Sequence, residues 1–118
     1  MLKAYVIVQR SRNLSWDAFA RHWRDAHAPL VLRLPGLRYF AQLPTPSAFF
    51  GGVAPCDGLA EIWFDDEDAL RSAFDSPAGL AVLADNELFV DVERTRLIAG
   101  EADVWMAVAA GGDAPRAT

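Results

Sequence analysis

A single cysteine, Cys56, stands in the 118 residues, so no intrachain disulfide can form and a cysteine-based structural zinc site is excluded. No apolar stretch approaches the roughly 18 residues of a membrane span, and no basic start leads into an apolar run. The expected location is cytoplasmic, with no membrane partner. Positive charge is in short supply: 11 Lys and Arg stand against 16 Asp and Glu, for a net charge of −5 and a pI near 4.8. Such a surface has no electrostatic basis for binding nucleic acid or an anionic lipid face. The chain also lacks a Gly-rich phosphate loop, a serine nucleophile elbow, a nucleotide fingerprint and a His-Glu-x-x-His pair. No metal and no cofactor is expected from these patterns.

What is present is apolar and aromatic. The chain is 53% hydrophobic and 23% charged, with four Trp and seven Phe. That suits one globular domain, placed at residues 1–110, with more aromatic bulk than a core of this size needs. Some of it is therefore expected at an interface or in a pocket. Residues 111–118 are expected to form a disordered tail.

Residues 3–10 form a short run of β-formers and predict the first strand. Ser15 can cap a helix whose apolar positions (Trp16, Phe19, Ala20, Trp23, Ala26, Leu30, Val31, Leu34) recur at helical spacing. Pro29 predicts a kink or a split in that helix near Ala28. Strands are predicted over Leu37–Leu43, Gly58–Phe64 and Arg94–Ala99, with a further edge strand over Asp103–Ala109. Asp65 or Asp66 can cap a helix through Phe74, and Ser76-Pro77 opens another to about Asn86. The long loop 44–57, with its Phe49-Phe50 pair, is a candidate lid or dimer contact.

The order is βαβ-βαβ, which implies an α+β, ferredoxin-like domain: a four-stranded antiparallel sheet with helices on one face. The other face is left bare, and the simplest cover for it is the same face of a second copy, giving a homodimer.

His27 is the leading candidate for chemistry. It falls four residues after Trp23 and three before Leu30, on the apolar stripe, where a polar group is either hydrogen-bonded or facing a pocket. Its ordinary pKa near neutrality suits acid–base work; the plainer alternative is a structural histidine satisfying the helix break at Pro29. His22 lies about 140° away on an ideal helix, so it is expected to be exposed and not to share a metal with His27. Glu61 shares a strand face with Leu59 and Trp63. It is either a second proton carrier or orienting partner for His27, or a salt bridge at the dimer seam. Gln42 on the Phe40 face is a candidate ligand anchor, and Tyr5 on the first strand is a candidate for the same wall.

The run from Phe19 to Val31, with Trp23-Arg24 and then His27-Ala28-Pro29-Leu30, resembles the signature of EthD-type proteins. Pro35-Gly36-Leu37-Arg38, Gln42, the segment Asp57–Asp65, Ala69-Leu70 and Ser76-Pro77 continue it, so the resemblance covers roughly residues 2–100. It implies the dimeric α+β barrel fold and, in the family's general label, an oxidoreductase. It also implies a small aromatic, lactone or quinone-like molecule as substrate. The expectation is a cofactor-independent enzyme in which His27 moves a proton and Trp63, Phe40 and Trp23 shape the pocket. The alternatives are a non-catalytic binder of a similar hydrophobic molecule and a haem-linked oxidoreductase. One departure stands out. The family's tyrosine four positions after the glycine of Pro-Gly is Phe40 here, and Tyr39 precedes it. Strand neighbours face opposite ways, so a phenolic proton donor is lost from the Phe40 side.

Overall fold

The computed structural model describes residues 1–108. The strands are β1 (Leu2–Val8), β2 (Tyr39–Pro44), β3 (Gly58–Phe64) and β4 (Arg96–Glu101). They form one antiparallel sheet in the order β2-β3-β1-β4. The helices are α1 (Trp16–His22), α2 (Ala28–Val31), α3 (Glu67–Asp75) and α4 (Pro77–Phe89). Two helical crossovers and a four-stranded antiparallel sheet make the ferredoxin-like α+β fold that the element order implied. No helix among the described residues is long and apolar enough to cross a membrane.

The helices start where their capping side chains are. Ser15 accepts from the Ala18 amide at 3.1 Å, Asp66 from Ala69 at 2.8 Å and Ser76 from Gly79 at 3.1 Å. Each satisfies an otherwise orphaned N–H, worth about 1 kcal/mol. Gly79 has a second reason to be glycine: a Cβ there would sit 2.3 Å from the Ala73 carbonyl oxygen, at the tight α3–α4 corner.

β3 keeps its expected bounds, and the other strands shift by one or two residues, β4 beginning at Arg96 rather than Arg94. The expected fifth strand is absent over residues 102–108, and Ala109 and the tail 111–118 lie outside the described residues.

Alternation sorts the sheet into two faces. Ala4, Val8, Phe40, Ala60, Ile62 and Phe64 turn toward the helices. Two core clusters form there. One gathers Val31, Leu34, Ile62, Phe64 and Val82; the other gathers Val8, Phe19, Trp23, Ala60 and Phe89. Phe19, Phe64 and Phe89 are fully buried, each stabilising the fold by roughly 1.5–3 kcal/mol. Lys3, Tyr5, Tyr39, Glu61 and Trp63 lie on the opposite, helix-free face, where register pairs Tyr5 with Glu61 and Tyr39 with Trp63.

Pro29 leaves its mark upstream. Residues Trp23–His27 wind as a π-helical segment between α1 and α2, closed by the Ala28 amide donating to the Trp23 carbonyl five residues back. Proline has no N–H for an i−4 bond and its ring crowds that carbonyl. The wider turn is the local solution, so the helix changes pitch where a kink was expected.

Candidate functional site

The π segment decides where the histidines point. In an i→i+5 turn, residues five apart come nearly one above the other, so His22 and His27 share a side. Both reach Asp85 on α4. His27 Nδ1 lies 2.7 Å from Asp85 Oδ2, and His22 Nε2 lies 3.0 and 3.1 Å from its two carboxylate oxygens. The expectation that His22 is exposed and remote from His27 is therefore corrected: its side chain is 28% exposed and bonded to the same carboxylate. Both rings rest on Phe89, at centroid distances of 4.6 and 4.8 Å.

Asp85 is the residue that sequence reasoning missed. It lies three positions after Val82 and four before Phe89, and all three are buried. An acid on the apolar stripe of a helix needs a partner, and that spacing was the available signal. The end of α4 is fixed by backbone bonds to the end of β1: Ser11 donates to the Phe89 carbonyl at 2.9 Å and Asp91 to that of Gln9 at 2.8 Å.

A cavity of about 210 Å³ opens where the two core clusters meet. Val6, Trp23, His27, Phe40, Val82 and Asn86 are among its walls. Asp85 takes Nδ1 of His27, and Nε2 carries no hydrogen bond among the described residues. Burial pushes the His27 pKa below its ordinary value of 6.5, and the Asp85 hydrogen bond and charge oppose that without reversing it. Near neutral pH the ring is therefore an uncharged imidazole with its Nδ1–H donated to Asp85, which leaves Nε2 with a lone pair.

This has a consequence for stability. Below about pH 6.5 the unfolded chain binds a proton at His27 that the native chain does not. Native stability should then decline as pH falls from that value toward the folded pKa, and level off below it. Urea melts of wild type and His27→Gln across pH 5–8 check this: the wild-type slope should exceed the variant's, and equal slopes would exclude it.

The sequence-derived site divides between the two sheet faces. His27, Trp23 and Phe40 come together on the cavity. Gln42 is on the same sheet face but is not a free anchor: its Nε2 donates to the Trp23 carbonyl at 2.9 Å, tying β2 to the π segment. Gly58 packs against the same Trp23 ring, where a Cβ would come within 2.6 Å of it. Tyr5, Glu61 and Trp63 lie on the helix-free face, so Trp63 does not line this cavity and Glu61 is not the partner of His27. Glu61 instead accepts from Trp63 Nε1 at 2.5 Å. Trp63 stacks on Tyr39 at 4.2 Å, with the Lys3 ammonium 4.2 Å from its ring. The Tyr5 hydroxyl is pushed above its ordinary pKa, first by desolvation and then by the neighbouring Glu61 charge. Phe40 faces the cavity and Tyr39 does not, as alternation required, so no phenol meets His27 there. The 45–57 loop is pinned at its base by Thr45 donating to the Cys56 carbonyl at 2.6 Å, while Phe49 and Phe50 at its tip are almost wholly exposed.

Comparison with known proteins finds relatives both in sequence and in fold. The EthD domain family model matches residues 11–93. A protein from Rhodococcus erythropolis, described as an uncharacterized 11.0 kDa protein in the thcB-thcC intergenic region, is 31% identical over 87 residues. The match spans 74% of this chain and 84% of that one. The crystal structure of an ethyl tert-butyl ether d (EthD) family protein from Bacillus halodurans superposes with a TM-score of 0.75 at 25% identity, covering 87% of this chain and 99% of that one. A dimeric ferredoxin-like protein from Thermobifida fusca gives 0.66 at 16% identity, over 86% and 90% of the two chains.

Proposed function

The chain belongs to the EthD family, and from that premise we propose that it is a cofactor-independent enzyme in which His27 transfers a proton to or from a small hydrophobic molecule held in the cavity beside it. The observation that carries this reading is the Asp85–His27 pair on an apolar wall. A neutral imidazole takes a proton at Nε2, becomes an imidazolium, and is stabilised in that form by the carboxylate behind Nδ1. Acid–base chemistry of an isomerase kind needs no more than this, and fits better than the oxidoreductase label. With Phe40 in place of a phenol, His27 must both remove and return the proton.

The haem-linked alternative is not favoured. At about 210 Å³ the cavity is smaller than the 300–1,000 Å³ usual for drug-sized ligands, and a tetrapyrrole is larger than those. The test of the main reading is exchange of the α-hydrogens of a small cyclic ketone in deuterated water, followed by NMR. Wild type should accelerate it and His27→Gln should not; equal rates would reject the proposal.

The working unit of this proposal is a homodimer joined through the helix-free face. Trp63, Tyr39, Ile7, Leu59 and Ile98 lie on that face, an apolar and aromatic patch of the kind that marks an interface. Solved neighbours of the same fold are described as dimeric, which supports the same arrangement. Trp63→Glu, placing a second carboxylate beside Glu61 at the centre of the face, should turn a dimer into a monomer in sedimentation velocity at micromolar concentration. A wild-type monomer under those conditions would exclude the arrangement.

A further inference from the structure

The cavity is narrower in its requirements than a hydrophobic pocket in general. Its volume is about 210 Å³, and an apolar protein cavity of about 150 Å³ is known to hold one benzene ring. There is room for one six-membered ring and a few further atoms, and not for two fused rings.

The walls also set the charge. Val6, Val31, Ile62, Val82 and Phe89 offer nothing to an ion. Among the described residues the cationic side chain on the wall, Arg96, is turned back on its own backbone, donating to the carbonyls of Glu93 and Thr95. The Thr95 hydroxyl is engaged with the Gln9 backbone. The carboxylate of Asp85 stands directly behind His27. An anion entering here would lose its hydration and face a buried negative group, with only the backbone-engaged Arg96 on the wall to offset it.

One polar group other than His27 remains for a ligand. Asn86 follows Asp85 on α4 and lines the cavity, and its side-chain amide makes no hydrogen bond among the described residues. An amide N–H lining the same cavity as a basic imidazole suits a carbonyl oxygen next to an acidic C–H: one holds the oxygen while the other takes the proton.

We infer that the ligand is a neutral, single-ring carbonyl compound whose oxygen is held by Asn86 while the adjacent C–H faces Nε2 of His27. The inference rests on the proton-transfer reading for its orientation, but size, charge and the Asn86 contact are tested by binding alone. The probes are cyclohexanone, 2-tetralone with the same ketone on two fused rings, and cyclohexanecarboxylate with one ring and a charge. Binding is followed by the methyl NMR shifts of Val6, Val31 and Val82. Cyclohexanone should shift these methyls, and the other two should bind at least tenfold more weakly. Asn86→Ala, which removes no side-chain hydrogen bond among the described residues, should weaken cyclohexanone roughly 3–10-fold, the worth of one neutral hydrogen bond. His27→Gln should retain the same ranking, so a failure of catalysis leaves this result standing. Tetralone or the carboxylate binding as tightly as cyclohexanone, no binding of cyclohexanone at millimolar concentration, or an unaltered affinity in Asn86→Ala would overturn it.

Discussion

His27→Gln is expected to fold and yet to lose about 10²–10⁴-fold in the rate of proton transfer. Glutamine keeps one property of the imidazole ring and loses another. Its amide can still donate to Asp85, so the buried carboxylate between α4 and the π segment is not left alone. It has no nitrogen that accepts a proton near neutral pH, so the base is gone while the cavity walls remain. A purely structural histidine would behave in the opposite way: the glutamine variant would keep full activity, and the cost would show as lost stability in the alanine variant. Measuring rate and unfolding free energy on both variants separates the two roles. A folded, fully active glutamine variant would end the catalytic reading.

Asp85→Ala should have the largest effect on stability, about 2–4 kcal/mol, and should lower Tm by on the order of 10 °C. Two imidazole N–H groups converge on this carboxylate. His27 is buried among Phe89 and the cavity walls and has no other acceptor among the described residues, so its donor would bear the full desolvation penalty. His22, which is 28% exposed, can turn to water, and this keeps the total below twice the single-group figure. Asp85→Asn keeps the shape and one acceptor oxygen and should recover much of the stability. It should remain slow, because a neutral amide cannot balance an imidazolium. If thermal melts of Asp85→Ala match wild type, the carboxylate does not hold the two rings together in solution.

The strands, caps and sheet faces were legible in the sequence because each rests on local rules. Period-two alternation separated Phe40, Ala60 and Ile62 from Tyr39, Glu61 and Trp63, and the structure keeps that separation. Ser15 and Ser76 marked helix starts through their hydroxyls. The same alternation already implied that Trp63 and Phe40 could not line one pocket.

The sequence by itself determined the element order, the two-faced sheet and the position of His27 on an inward stripe, because these depend on residue spacing within single elements. Tertiary structure decided the partner of His27. An ideal α-helix sets His22 and His27 about 140° apart, whereas the π turn forced by Pro29 brings them to one side. Asp85 arrives from α4, 58 residues beyond His27, positioned by the backbone bonds that tie Phe89 and Asp91 to the end of β1. Neither a change in helical pitch nor a contact between distant elements is encoded in local periodicity. Both follow from satisfying buried backbone and carboxylate groups once the helices pack on the sheet.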